Sequence, residues 1–523
     1  MNRRDFLGFA GAFSLAALLG ESHFEDGLAF GQKARAATGP ETLFSEEWLK
    51  THARELAAAP FAPSRLRTPE RLAHLTYSER QKIRYRADKA IWNDLPVAFR
   101  GQCFHVAGLY GEKPVRIHLV NKDKAREFIY SSDLFSYDGV PAPDASFKDG
   151  FSGFRLHTPL NSPLVYDEYV VFQGASYFRA VGKNQTYGQS ARGLAINTGP
   201  NLSEEFPYFT NFWLVQPRPG DHAVTVYALL ESESVTGAYK FILTPGVTTV
   251  TEIECALFPR KRIERVGIAP LSSMFFIGLD KRRGFDDFRP RVHDSDGLSM
   301  WNGAGEWLWR PLINSQNIHF STFVDRNPKG FGLIQRTRDF AEFQDLEAHY
   351  GERPSVWVEP IGEWGEGAVM LLELSTDEET RDNIAAFWSP RDGLSPGKVY
   401  QYRYRLHWCI DLPAANNLAW VSAARSGQSW RPEARFIVID LLGAERLAEA
   451  RLSVDIGSDT GEISNAIVFP NPKTKGLRVT CEFTPDGNQP ADIRGVLVAD
   501  GRQASEVWIY RWTPEGACSG GRK

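Results

Sequence analysis

The sequence predicts an all-β protein built from two sandwiches, a large one followed by a small one. Three observations carry this expectation. Beyond about residue 92, short alternating or apolar runs recur between Gly, Pro, Asn and Asp, with little helix among them. At 523 residues the chain is too long for one ordinary core. A stretch rich in Pro and Gly, Ser389 to Gly397, interrupts the pattern late in the chain and has the chemistry of a linker.

Taken in order, the chain opens with Arg3-Arg4-Asp5-Phe6-Leu7 and an uncharged run to Gly20, too short to cross a bilayer. With the later Ala34-Arg35-Ala36 site, residues 1–36 read as a cleavable signal of the twin-arginine kind, which exports folded proteins. The expected location is the periplasm, with no stable membrane insertion. Ser45 is a helix N-cap followed by Glu46 and Glu47, and Trp48, Leu49, Ala53 and Leu56 recur at helical spacing up to Pro60. A second helix is expected from Thr76 to Trp92. Strands follow over Pro114–Val120, Glu168–Phe172, Ala223–Leu230, Tyr239–Leu243 and Val247–Ile253. The large domain is expected over 37–388, a linker over 389–398, and the small sandwich over 399–523. The small sandwich opens on the period-2 strand Val399–Trp408 and ends on Glu506–Trp512.

Composition narrows the chemistry. Hydrophobic content of 42% and charge of 24% are those of a globular chain, and a net charge of −4 without basic blocks excludes nucleic acid as a partner. Cys103, Cys255, Cys409, Cys481 and Cys518 are scattered and odd in number, which suits buried small hydrophobes better than a disulfide framework or a zinc site. No metal and no cofactor is called for. Gly188-Gln189-Ser190-Ala191-Arg192-Gly193 is out of register for a nucleophile elbow, and Gly303-Ala304-Gly305 lacks the rest of a dinucleotide loop.

One stretch, Arg289 to Pro311, combines Asp294 and Asp296 with His293, Trp301, Trp307, Trp309, Glu306 and three glycines. Paired carboxylates can move protons and aromatic faces can hold a sugar ring. Asp294-Ser295-Asp296-Gly297 also has the start of a calcium loop, but the further ligands are missing at the required spacing. A turn in which Asp side chains bond backbone amides fits as well. Seven of the 14 Trp fall between 301 and 408, where Asp and Glu also gather. Those rings suit a carbohydrate cleft, and they equally suit a sandwich core. Glycoside hydrolysis needs one carboxylic acid and one carboxylate, and these residues nominate several without choosing.

The choice comes from a resemblance. GASYFRAVGKNQTYGQSARGLAI (174–196), EEFPYFTNFW (204–213), TGAYKF (236–241), GIAPLSSMF (267–275) and RPRVHDSDGLSMWNGAGEWLWRPL (289–312) carry its first part. NPKGFGLIQRTRDFAEFQDLEAHY (327–350), RPSVWVEP (353–360) and DNIAAFW (382–388) complete it. With these, the chain resembles the periplasmic glucan biosynthesis proteins of the OpgG/OpgD (MdoG/MdoD) family, the D type above all, from about Glu41 to Trp512. The resemblance implies a mutarotase-like N-terminal sandwich and an immunoglobulin-like C-terminal one. It implies an anomer-inverting, endo-acting β-1,2-glucanase that processes osmoregulated periplasmic glucan, with transglycosylation, ring closure included, and a non-catalytic glucan scaffold as alternatives. The matching positions make Asp382 the general acid and Asp294 the base, acting through a proton relay in which Asp296 is a candidate. Tyr350, Arg353, Trp357 and Glu359 are implied cleft residues beside Trp301, Trp307 and Trp309. A homodimer is also implied, but the segment Ala424 to Arg435, which reaches the partner in D-type relatives, reads as shortened here.

Overall fold

The computed structural model describes residues 38–514, apart from 64–65, 67, 108–112, 280–283, 414–416 and 448. The signal expected over 1–36 and Cys518 lie outside the described residues. The described part is all-β, with short helices confined mostly to the start. A sixteen-stranded and a ten-stranded sheet supply most of the strands, and a separate four-stranded sheet lies near the C-terminus.

The two large sheets face each other over one continuous core. Strands Val224–Glu231 and Thr249–Pro259 of the larger sheet turn Val226, Ala228, Ile253 and Leu257 inward, where Phe154, Phe172, Phe178 and Leu271 of the smaller sheet meet them. Alternation is clear wherever one face meets solvent, as in Arg100–His105. It disappears in Val266–Ser273 and Gly330–Ile334, every residue of which is buried, because both faces are covered. Burying both faces of a strand removes the polar side of the pattern.

The first helix forms as expected, Glu46–Ala58, with the Ser45 hydroxyl accepting the Trp48 amide; Leu49 and Ala53 pack on the outer face of the large sheet beside Trp213 and Phe258. The second expected helix is much shorter. Thr76 and Glu79 form a capping box, but the helix covers only Tyr77–Gln81. Arg84–Tyr85 then pairs with Phe135–Ser136, and Tyr85 is buried edge-on against Phe135. Burial of that ring outweighs helical spacing too short to propagate.

The expected domain boundary requires correction. Leu394 is fully buried, and its backbone exchanges two hydrogen bonds of 2.9 Å with Ile263. Residues 389–398 therefore connect strand Ile384–Pro390 of the smaller sheet to strand Tyr400–Cys409. That strand lies inside the larger sheet, between Thr249–Pro259 and Ser355–Ile361. Its period-2 pattern holds, with Tyr404, Leu406 and Trp408 facing the main core. Gly and Pro set a tight turn equally well within a domain and between domains, which is why composition misplaced the boundary.

The small sandwich begins only with Trp420–Gln428. That strand, Arg435–Leu442, Gly476–Thr484 and Glu462–Asn471 make one layer. Leu452–Ser458, Ala491–Ala499 and Val507–Trp512 make the other, and this second layer continues the sixteen-stranded sheet through parallel pairing of Leu308–Trp309 with Val507–Trp508. The four described cysteines are free and buried.

Near the start of the large sandwich, buried His105 accepts the Ala107 amide at Nδ1 and lies 2.9 Å from the Tyr130 hydroxyl at Nε2. Burial pushes its pKa down from 6.5 to about 4. The unfolded chain therefore takes up a proton that the folded one refuses as pH falls from about 6.5 to about 4. Acidification through that window should remove up to roughly 3 kcal/mol of stability through this residue. Denaturant midpoints at pH 7 and pH 4.5 measure it, and His105→Gln should flatten the slope.

Candidate active site

Asp382 and Asp294 sit on loops of opposite layers, and one short segment anchors both. Asp382 ends the connection between strands Glu366–Glu373 and Ile384–Pro390. The next side chain, Asn383, accepts the Phe275 amide at 2.8 Å and donates to the Phe275 carbonyl at 3.0 Å and the Leu374 carbonyl at 2.9 Å. Asp294 follows the two-residue strand Val292–His293, and its own amide donates to the Met274 carbonyl at 2.9 Å. Ser273 and Ser295 hydroxyls meet at 2.8 Å. Residues 273–275 thus hold the loops of both carboxylates, and each Asp is about 2% exposed.

Arginines balance the pair. Arg353 is buried and donates to Asp294 Oδ1 through Nη1 and to the Ala348 carbonyl through Nε at 3.0 Å, with its guanidinium 4.3 Å from the centre of the Tyr350 ring. Arg179, on the fully buried strand Tyr177–Ala180, brings Nη2 to 3.8 Å from Asp382 Oδ2. That oxygen has no hydrogen-bond partner among the described residues. Burial pushes the Asp382 carboxyl up from 3.8 to about 6; Arg179 opposes the shift, Asp294 adds to it, and Arg192 and Arg353 oppose it. A carboxylic acid so placed keeps its proton close to neutral pH and can donate it.

Asp296 is held by a different set of partners. It accepts the amides of Arg336 and Thr337, both at 2.7 Å, the Thr337 hydroxyl at 3.1 Å and Arg291 at 3.0 Å. Burial opposes its charge, but the neighbouring His293, Arg291 and these amides hold the carboxyl below its ordinary value. His293 donates from Nδ1 to Gln335 at 3.0 Å and stacks on Phe275, and burial holds its pKa below the ordinary value. Asp296 fixes the turn that presents Asp294.

The aromatic residues divide. Tyr350 joins the site, its hydroxyl donating to Glu379 at 3.0 Å, and Glu379 in turn meets Arg289 at 2.8 Å. Trp301, Trp307 and Trp357 instead form a column with ring centres 5.2 and 5.5 Å apart and nearly parallel planes. Trp307, Trp309 and Trp357 belong to the core shared with the small sandwich, beside Ile493 and Trp508, and Trp301 packs at its edge. Gly330 and Gly297 are glycines because a Cβ would stand 2.1 Å from the Trp357 ring and 2.5 Å from the Trp309 ring. Glu359 is paired with His407 at 2.7 Å and Arg405 at 3.3 Å. For Trp307, Trp309 and Trp357 the expected cleft wall is corrected: these rings support the sheet from behind because the second sandwich covers them.

Arg179, Arg192 and Glu379 escaped the sequence reading. A cation inside a strand with no exposed residue was the available signal, in Tyr177–Ala180 and again in Ser190–Arg192. A guanidinium is buried at such positions only with partners to meet its charge.

Fold and site define an all-β protein of two joined sandwiches that encloses a carboxylate pair among arginines. The chain matches the family described as "Periplasmic glucan biosynthesis protein, MdoG" over residues 44–512. It belongs to that family. It is 45% identical over 520 residues to "Glucans biosynthesis protein G" of Rhodopseudomonas palustris (strain BisA53), covering 98% of this chain and all of the relative. It is 44% identical over 519 residues to the protein of the same name from Bradyrhizobium diazoefficiens, with the same coverage, and 43% identical over 474 residues to that of Vibrio cholerae, covering 90% of this chain and 87% of the relative. No described helix is long and apolar enough to cross a membrane.

Because Trp357 is core, Trp357→Ala should cost about 3–5 kcal/mol of stability. Denaturant unfolding gives that figure directly. A ring on a cleft wall would instead show a small stability change.

Proposed function

We propose that this protein is an anomer-inverting, endo-acting hydrolase of the β-1,2-linked glucan backbone, reaching the periplasm by the twin-arginine route. The observation that carries the reading is the raised pKa of Asp382, about 6, in an enclosed site that also holds Asp294. Asp382 in its acid form donates a proton to the leaving glycosidic oxygen. Asp294, bonded to Arg353, takes the proton from the attacking water through a relay in which Asp296 is a candidate. Tyr350 and Arg353 shape the pocket around the reacting sugar.

The relatives reported above carry the G name, while the hydrolytic reading rests on the resemblance to the D type. The enclosure of both carboxylates also favours a second reading, transfer of the chain to a sugar hydroxyl, since an active site closed to water suits an alcohol acceptor. Chain length and anomer, followed by NMR on linear β-1,2-glucan, distinguish the two. Shorter chains with an inverted new end support hydrolysis, and transfer products, rings among them, support the second. An intact polymer under every condition leaves the non-catalytic glucan scaffold.

The acid must be protonated to act, so kcat should fall as pH rises through about 6. Asp382→Asn should lower turnover by at least roughly 100-fold, with fold and melting temperature retained.

A further inference from the structure

Asp382 is faced by Tyr177 and Arg179 of one strand, Arg192 of the next, Arg353 before strand Ser355–Ile361, and Asp294. Arg179 and Arg353 each have a carboxylate of the pair at hand. Arg192 is instead bonded outside the pair. Its Nη1 meets Glu204 at 3.1 Å, its Nε donates to Ser272 at 3.0 Å, and its guanidinium stands 4.8 Å from the centre of the Tyr177 ring. Both side chains are buried, 3% and 2% exposed, and Thr198 donates a further bond of 2.6 Å to the same Glu204 oxygen. Arg192, Thr198 and Glu204 line one crevice with Asn383 and Ile384, the residues immediately after the acid. The pair therefore lies directly against the segment that carries Asp382.

From this arrangement we propose that Glu204 is a positioning residue for the reaction: by holding and neutralising Arg192 it lets Asp382 stay protonated. The proposal rests on the reading of Asp382 as general acid. Three arginines, Arg179, Arg192 and Arg353, are set against three carboxylates, Asp294, Asp382 and Glu204. With all groups ionised the cluster is neutral, and it carries one positive charge when Asp382 is protonated. Removing the Glu204 charge raises that surplus to two and leaves Arg192 acting on Asp382 alone, in a medium where charges are poorly screened. Ionisation of Asp382 then becomes easier. Its pKa falls, and less of the acid form remains at any pH above it.

The test is the pH dependence of kcat on linear β-1,2-glucan for the full-length protein. Glu204→Gln should move the alkaline limb down by about one pH unit and leave the limiting rate at low pH within roughly threefold. Because that variant leaves a buried arginine without its counter-charge and can fail to fold, Glu204→Gln/Arg192→Gln is measured beside it. The double variant removes both opposing influences and should return the limb to within about 0.3 units of the wild-type position. A packing role would change the melting temperature and the rate at every pH without moving the limb. An unmoved limb in a folded Glu204→Gln, or a double variant still displaced by the full amount, overturns the proposal. Asp382→Asn separates the two failures: if it leaves activity intact, the acid assignment falls, whereas if it abolishes activity and the limb stays put, only the role of Glu204 falls.

Discussion

The site depends on the backbone of Met274 and Phe275. The Phe275 amide and carbonyl clamp Asn383, and the Met274 carbonyl holds the amide of Asp294. Two loops from different layers, far apart in sequence, are thereby registered on one short length of chain. The hydrogen bonds are buried, so each would leave an unsatisfied polar group if broken, and that asymmetry makes the registration stiff. Neighbouring Phe275 also stacks on His293, which fixes the strand leading to Asp294. Small movements of this segment would shift acid and carboxylate together, so their relation is better protected than the position of either one.

Burial gives the site its electrostatic character. Burial opposes the charge of Asp382 and of Asp296, and neighbouring cations and hydrogen-bond donors determine how far each carboxyl yields. Asp382 has Arg179 at 3.8 Å from Oδ2 and its carboxyl is pushed up to about 6, while Asp294 is directly bonded to Arg353. Asp296, with four hydrogen-bond donors, is held below its ordinary pKa and anchors the turn. Three aspartates within one cluster are thus separated by their partners and not by their residue type.

The small sandwich participates through packing. Its layer continues the sixteen-stranded sheet at Val507–Trp508 and covers Trp307, Trp309 and Trp357. Arg336 lies across the same boundary, bonded to Glu506 at 2.6 and 2.9 Å and 3.5 Å from the centre of the Trp309 ring. The backbone amide of the same residue bonds Asp296. A continuous set of contacts therefore runs from the second sandwich to the turn that presents Asp294. Removing one partner of the Arg336–Glu506 pair would leave a buried charge uncompensated, so the boundary resists opening.

By itself the sequence determined the all-β class, the Ser45-capped helix and the positions of the strands with the clearest alternation, such as Tyr400–Cys409 and Val507–Trp512. Those follow from local spacing of apolar residues and turn formers, which needs no knowledge of neighbours. It also marked Asp294 and Asp382, through motifs shared with a family. The tertiary structure decided what covers each face. Trp357 and Tyr350 look alike as aromatic residues near acids, yet one faces the second sandwich and the other faces Arg353. Tyr400–Cys409 reads as a strand in either domain, and only its pairing with Thr249–Pro259 and Ser355–Ile361 assigns it to the first. The surroundings of Arg192 were equally hidden, since Ser272, which its Nε bonds, lies eighty residues away in sequence. Periodicity encodes which side of a strand is apolar, and it carries no information about which surface arrives to bury that side.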